Sequence, residues 1–390
     1  MLDAYRRILT LPGAAAFSAT GLVARLPISM TGLGIVLLVA GRTGSYAYAG
    51  SISAAEVVAG AIASPVQGRL ADRFGQSRVL PAAALAFGLG IVATVVAIEL
   101  GWPTPLPHLC AAASGATLPQ VGSTIRARWR HAVPERALLQ TAFALEAVVD
   151  ELIFIVGPVL VTFLATHVGS AAGLAAAAVL GVTGGLALAA QRTTQPPVEP
   201  GHRRAGTRQP ITGSALAPLV VVGIGMGSLF GSAEVVTVAF AQQAGNAADA
   251  GWMLASWAAG SMCAGAVLGA LTLRSPALNR LRWGATALTA MMAALPFLPT
   301  TGSIAAVLFV AGLAISPTLI ASISLVEQCV PAARLTEGIA WATSGLATGI
   351  APGSAISGVV IDHYGASVAY LVPVASGLLA VTVAWLMRRR

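Results

Sequence analysis

The 390-residue chain is 56% hydrophobic and only 9% charged, with a mean hydropathy of +0.82. Soluble domains carry about a quarter charged residues, so a water-facing surface cannot be built from this composition. The net charge of +8 comes from 22 arginines without a lysine, which excludes a Walker A loop, a Schiff-base lysine and a pyridoxal site.

The apolar residues fall into roughly twelve blocks, at about 14–40, 46–70, 78–98, 105–126, 137–165, 170–190, 214–241, 250–273, 283–299, 303–327, 336–361 and 367–387, each near the ~20 residues that cross hydrocarbon as a helix. They are continuous and rich in Ala and Leu, whereas barrel strands alternate over ~10 residues. The expected fold is therefore an all-α membrane protein. The first block is longer than a signal-peptide core and lacks a small-residue cleavage site, so it reads as a retained helix.

Most arginines lie in breaks on one side: Arg6 and Arg7, Arg73 and Arg78, Arg126 through Arg136, Arg192 through Arg208, Arg274 through Arg282, Arg334, and Arg388 to Arg390. Arg25 and Arg42 are the exceptions. That asymmetry predicts a cell-membrane protein with both termini in the cytoplasm. The tract 191–212, with Pro196, Pro197, Pro200 and Gly201, reads as a cytoplasmic linker. It separates an N-terminal bundle of six spans, 1–190, from a C-terminal bundle of six, 213–390. Landmarks repeat across it: Val133-Pro134 with Val330-Pro331 at a shift of 197, Pro119 with Pro317 at 198, and His167-Val168-Gly169 with His363-Tyr364-Gly365 at 196. Two halves of one design are the signature of a transporter with a midplane site.

Between the second and third spans stands Gly68-Arg69-Leu70-Ala71-Asp72-Arg73-Phe74-Gly75-Gln76-Ser77-Arg78. This loop resembles the cytoplasmic signature of the major facilitator superfamily, and the likeness extends to the six-plus-six spans, central linker and internal termini. Gly68 would let a helix approach closely, Asp72 would place a negative charge at the membrane surface, and Gly75 would permit a tight turn. The resemblance implies an inner latch: Gly68, Asp72, Arg73, Gly75 and Arg78 would brace against Arg334 and Thr336 at the start of the eleventh span, where the helix dipole favours a negative charge. The second half keeps a remnant, Gly265 and Gly269 with Arg274, but no Asp.

Charges at hydrocarbon depth are costly and mark function. Arg25, Glu56, Glu146, Asp150, Glu151 and Glu234 are such residues. From the ~1.5 Å helical rise, Arg25, Glu146 and Asp150 lie ~16, ~14 and ~20 Å above the cytoplasmic starts of their spans, and Glu56 ~15 Å below an outer start. They share one layer. Glu146 and Asp150 fall on one helical face with Glu151 about 100° around from Asp150. Without a counter-charge two carboxylates cannot both ionise cheaply, so one keeps its proton or they lean on Arg25. The 197-residue shift maps them onto Thr343, Ala347 and Thr348, so the fold itself does not require them. These five, Arg25, Glu56, Glu146, Asp150 and Glu151, are the candidate proton-coupling residues. A buried network that only fixes packing is the other reading. Glu234, ~28 Å into its span, is a gate or a cavity residue.

Pro27, Pro119, Pro158, Pro317 and Pro352 are expected inside helices, each freeing a carbonyl. Gly157-Pro158 resembles only the end of the superfamily's antiporter motif, and the fourth span lacks the embedded Arg of its proton-driven drug exporters. Gln120, Ser123 and Thr124 in the fourth span and Ser316, Thr318 and Ser322 in the tenth lie on helices that line the family's cavity. With Glu234 and Trp341 they are the candidate substrate contacts. Cys110, Cys263 and Cys329 have no CxxC spacing, and the five His have no metal-ligand spacing, so no disulfide, metal or cofactor is expected. No catalytic constellation is present, which argues against an enzyme. The expected protein is a monomeric secondary transporter, embedded in lipid, that moves a small organic solute by alternating access with proton coupling. Export follows from the resemblance alone. An uptake symporter or facilitator for a sugar or similar metabolite is the alternative, and nucleic acid is not an expected partner.

Overall fold

In hydrocarbon an unpaired backbone N–H or C=O costs several kcal/mol, so long apolar runs close their hydrogen bonds within themselves as helices. A computed structural model describes residues 2–133, 135–197, 213–270, 275–330 and 335–387. All regular elements among them are helical: α1 (Leu2–Leu9), α2 (Ala14–Arg25), α3 (Pro27–Thr43), α4 (Tyr46–Phe74), α5 (Gln76–Glu99), α6 (Leu106–Thr117), α7 (Val121–Ala132), α8 (Arg136–His167), α9 (Ala172–Ala190), α10 (Gly213–Gln243), α11 (Asp249–Ala270), α12 (Ala277–Ala294), α13 (Thr301–Gly312), α14 (Ile315–Cys329), α15 (Leu335–Tyr364), α16 (Ala366–Ala369) and α17 (Leu371–Leu386). Among the described residues, nine helical stretches are long and apolar enough to cross a membrane.

Several sequence expectations need correction. Pro119 is not inside a helix. The fourth apolar block breaks at Leu118-Pro119-Gln120 into α6 and α7, because Pro119 offers no N–H. The break is healed from α4, where the Gln67 amide donates to Ala116 O at 2.8 Å and Leu118 O at 3.1 Å. Pro27 likewise opens α3 after a turn at Leu26, and Pro317 sits in the first turn of α14, whereas Pro158 and Pro352 are internal to α8 and α15. The ninth block forms its helix earlier than expected, over Ala277–Ala294.

The chain forms two units. The first comprises Met1–Leu38 with Ala59–His202, and the second Val39–Val58 with Arg203–Arg390.

In the first unit, Phe17, Val121, Ile125, Trp129, Ala142 and Leu188 are buried together. Phe17 meets Trp129 edge to face at 4.7 Å. Beside Trp129, the buried Arg128 donates to Gln76 Oε1 (2.8 Å), Leu188 O (2.9 Å), Gln191 O (3.0 Å) and Thr194 Oγ1 (2.8 Å). It thereby satisfies carbonyls that α9 leaves open at its C-terminus, where a cation is also favoured by the helix dipole. Arg128, which the sequence places among the arginines of a break between spans, is 0% exposed. Gly75 has φ of 88° between α4 and α5, a conformation open to Gly.

In the second unit, α10 and α15 pack backbone to backbone through small residues, the usual means of close approach between membrane helices. A Cβ at Gly349 would lie 2.0 Å from Ile224 O, and one at Gly353 would lie 2.2 Å from Ser228 O. Gly68, by contrast, has nothing within 4 Å of such a Cβ, so the described residues do not form the close approach expected of it. Gly353→Val should lower stability by about 1–3 kcal/mol through overpacking, read as a fall in melting temperature in detergent. Gly68→Ala should leave that temperature within the ~0.5 kcal/mol typical of surface changes.

Candidate functional site

Arg25 ends α2, which places a guanidinium one step before the chain turns at Leu26. Ser18, Gly21 and Arg25 share one face of that helix, and Arg25 Nε donates to Gly21 O at 3.0 Å. Its other two nitrogens reach α8: Nη2 lies 2.5 Å from Glu146 Oε2 and Nη1 2.8 Å from Asp150 Oδ1. Arg25 is 1% exposed and Glu146 0%.

The second oxygen of Glu146 accepts from Ser18 Oγ at 3.0 Å and Trp129 Nε1 at 2.8 Å. Asp150 is different. It is 35% exposed, and its second oxygen pairs at 2.7 Å with Arg126 on α7, itself 42% exposed. The result is an alternating chain Glu146, Arg25, Asp150, Arg126 with no net charge.

Sequence reasoning placed Arg25, Glu146 and Asp150 together by depth but missed Ser18, Arg126 and Trp129. Arg126 and Trp129 are one turn apart on α7, a spacing that puts both on the face toward α8. Glu151 is partly buried on α8 and is itself engaged.

Glu56 and Glu234 form a separate group in the second unit. The Tyr46 hydroxyl donates to Gln242 Oε1, fixing the axial register of α4 against α10. From that contact Glu56 lies ~15 Å along α4 and Glu234 ~12 Å back along α10, so both carboxylates sit at one depth. They interact electrostatically. Among the described residues neither is paired with a cationic side chain. Glu56 is 6% exposed, and Glu234 is partly buried.

The start of α4 is held by Asp362 of α15, which accepts from Ser45 Oγ (2.7 Å), Tyr46 N (2.8 Å) and Ala47 N (2.9 Å). This is a capping carboxylate supplied by another helix, and sequence spacing gives no sign of it.

The remaining candidates are spread out. Asp72, Arg73 and Arg78 are exposed, with Arg73 over the Phe74 ring at 5.0 Å. Arg334 and the side chain of Thr336 lie outside the described residues. Gln120 stands directly before α7 and its Oε1 accepts from Ser64 Oγ at 2.9 Å. Its carbonyl takes the hydroxyls of Ser123 and Thr124 at 3.0 and 2.9 Å. Ser316 donates to Ser261 O at 2.8 Å, and the buried Thr318 to Ala314 O at 2.6 Å, so both hydroxyls are occupied by helix packing. Ser322 is partly buried and Trp341 exposed. An apolar groove of about 630 Å³ lies among α10, α15 and α17, lined by Ile224, Ile356, Leu371 and Leu379. It includes none of the charged residues.

Among the described residues every regular element is helical, with nine stretches able to cross a membrane, and the family to which the chain belongs makes it a membrane transporter. Residues 17–309 match the Major Facilitator Superfamily, and the chain belongs to that family. It is 31% identical over 172 residues to the uncharacterized MFS-type transporter y4rN of Sinorhizobium fredii (strain NBRC 101917 / NGR234), a match covering 44% of this chain and 42% of that protein. The match therefore spans less than half of the relative's length. Among solved structures the chain is similar to the nucleoside transporter NupG, with a TM-score of 0.73 at 14% identity, covering 96% of this chain and 100% of that one. It is also similar to the human organic anion transporter MFSD10 (TETRAN), with a TM-score of 0.66 at 13% identity, covering 95% and 98% of the two chains. At these identities the likeness concerns the fold.

Removing Arg25 would leave Glu146 buried and unpaired, and breaking a buried pair from one side costs about 3–5 kcal/mol. Arg25→Met should therefore melt well below the parent in detergent, while Arg25→Met with Glu146→Gln recovers much of the loss. A double variant no more stable than Arg25→Met would show that the pair does not hold the unit.

Proposed function

We propose that this member of the superfamily is a secondary active transporter that exports a small organic solute in exchange for protons, by alternating access. The reading rests on Asp150. Glu146 has its carboxylate filled by Arg25, Ser18 and Trp129, whereas Asp150 is partly exposed and shared between Arg25 and Arg126. The charged groups on Asp150 are Arg25 from α2 and Arg126 from α7, with Glu146 one turn away on its own helix and Glu151 about 100° around it. A proton reaching Asp150 frees both arginines from it, which changes the electrostatics of α2, α7 and α8 in one step. Such a differential interaction is what a ligand needs to bias one conformation over another. Glu146 then acts as the fixed anchor that keeps Arg25 in place.

The arginine distribution supports cytoplasmic termini. On that topology Asp72 belongs to the inner face and, by the family resemblance, braces against the start of α15 near Arg334 and Thr336.

The test is reconstitution in liposomes holding a pH dye, with an imposed pH gradient and a panel of a nucleoside, a dipeptide, an organic anion and an organic cation. A transported member should move protons as it moves, and the gradient should drive its flux. Asp150→Asn should keep solute exchange but reduce the linked proton movement at least about tenfold, the scale of a lost charge-assisted contact. Flux indifferent to the gradient would defeat the coupling claim. Asp72→Asn should slow transport several-fold while binding to detergent-solubilised protein stays at the parent level. An unchanged rate would remove the latch.

A further inference from the structure

The first unit pairs the carboxylates Glu146 and Asp150 with its own arginines, but Glu56 and Glu234 in the second have no cationic side chain among the described residues to do so. A carboxylate pair so placed, Glu56 buried and Glu234 partly so, must either hold a proton or have something positive beside it. The α10 face that carries Glu234 also carries an aromatic ring. Phe230 lies four positions before Glu234, on the same face of α10, and Trp257 of α11 meets Phe230 edge to face at 5.5 Å.

The indole of Trp257 adds a second and independent sign. Trp129, Trp252 and Trp385 each donate Nε1 to an oxygen, of Glu146, Asp249 and Thr286 respectively. Trp257 is 7% exposed, and its Nε1 has no partner. A buried donor left unpaired is unusual and calls for an explanation. A proton alone would satisfy the carboxylates but would leave both the indole donor and the aromatic faces without purpose.

We propose that Glu56, Glu234, Phe230 and Trp257 form the binding site for an organic cation that also carries a hydrogen-bond acceptor. The carboxylates supply charge complementarity, and the rings supply the π faces that attract a desolvated cation. The indole N–H reaches the acceptor. Partial exposure of Glu234 and Phe230 leaves the group reachable, and an anion of the same shape would be repelled. A metal ion fits less well, because two carboxylates fall short of the six or more oxygens that calcium takes, and no cluster of three potential ligands occurs among the described residues. The inference rests on the transport reading and names the solute class for it.

The test uses the full chain in detergent and fluorescence anisotropy of rhodamine 6G, a cationic dye with an ester acceptor, against fluorescein, an anionic dye of related shape. Rhodamine 6G should bind saturably and fluorescein should not. Glu56→Gln and Glu234→Gln should each raise the Kd about tenfold or more, with Glu234→Asp close to the parent. Trp257→Phe should weaken rhodamine 6G several-fold while leaving displacement by tetraphenylphosphonium, which has no acceptor, unchanged. Phe230→Leu keeps the apolar packing and should also weaken both cations, so the result does not hang on the carboxylate variants folding.

Equal binding of the two dyes, or parent-like rhodamine 6G affinity in Glu56→Gln and Glu234→Gln proteins that melt like the parent, would overturn the site. Absence of saturable rhodamine 6G binding would do the same. Proton-linked flux of another solute without dye binding would retire this site and leave the transport reading. Dye binding at these residues without proton-linked flux would retire the transport reading and leave the site.

Discussion

A charge inside an apolar bundle must be paired or hydrogen-bonded where it stands, and Arg25 meets that demand by lying between Glu146 and Asp150. The consequences spread through the first unit. The guanidinium ties the end of α2 to the middle of α8, Trp129 brings α7 to the same carboxylate, and Arg126 completes the chain from the exposed side. The hydrophobic cluster around Phe17, Ile125 and Trp129 then packs against a neutral group instead of an ion. Breaking such a pair from one side is far more costly than never having made it, so the network fixes the arrangement of three helices as well as holding charge.

The second unit uses another principle. Its tightest contacts run along glycines of α10 and α15, where dispersion between backbones replaces the hydrophobic force that lipid cannot supply. Charge enters at the edges, as when Asp362 caps α4. That packing leaves Glu56 and Glu234 at one depth with no basic side chain of the described residues beside them. One unit thus pairs its buried carboxylates with its own arginines, and in the other the proposed ligand takes that role.

Much of the fold was legible because hydropathy and backbone chemistry leave few options: long apolar runs became helices, and Gly75 marked a turn that only glycine accepts easily. Depth arithmetic also aligned Arg25 with Glu146 and Asp150, since all three were measured from the cytoplasmic ends of their spans. The misses have physical causes. Counting arginines for topology treats every one as solvated, so the burial of Arg128 and the pairing of Arg126 were hidden. Pro119 is expected inside a helix because sequence does not show that Gln67, some fifty residues away, satisfies the carbonyls of a full break. Glu56 and Glu234 were reckoned from opposite membrane faces, and their common level follows only from the Tyr46 contact with Gln242. The expected partners of Asp72, Arg334 and Thr336, lie outside the described side chains.

The central claim is that buried carboxylates here sort into a set neutralised by the protein and a set left for a bound cation. Labelling the untouched protein with dicyclohexylcarbodiimide, which attacks carboxyl groups that apolar reagents can reach in their acid form, and mapping the adducts by peptide mass spectrometry tests it directly. The account predicts adducts at Glu56 or Glu234, suppressed by an organic cation, and none at Glu146. Adducts at Glu146 with Glu56 and Glu234 untouched would contradict it.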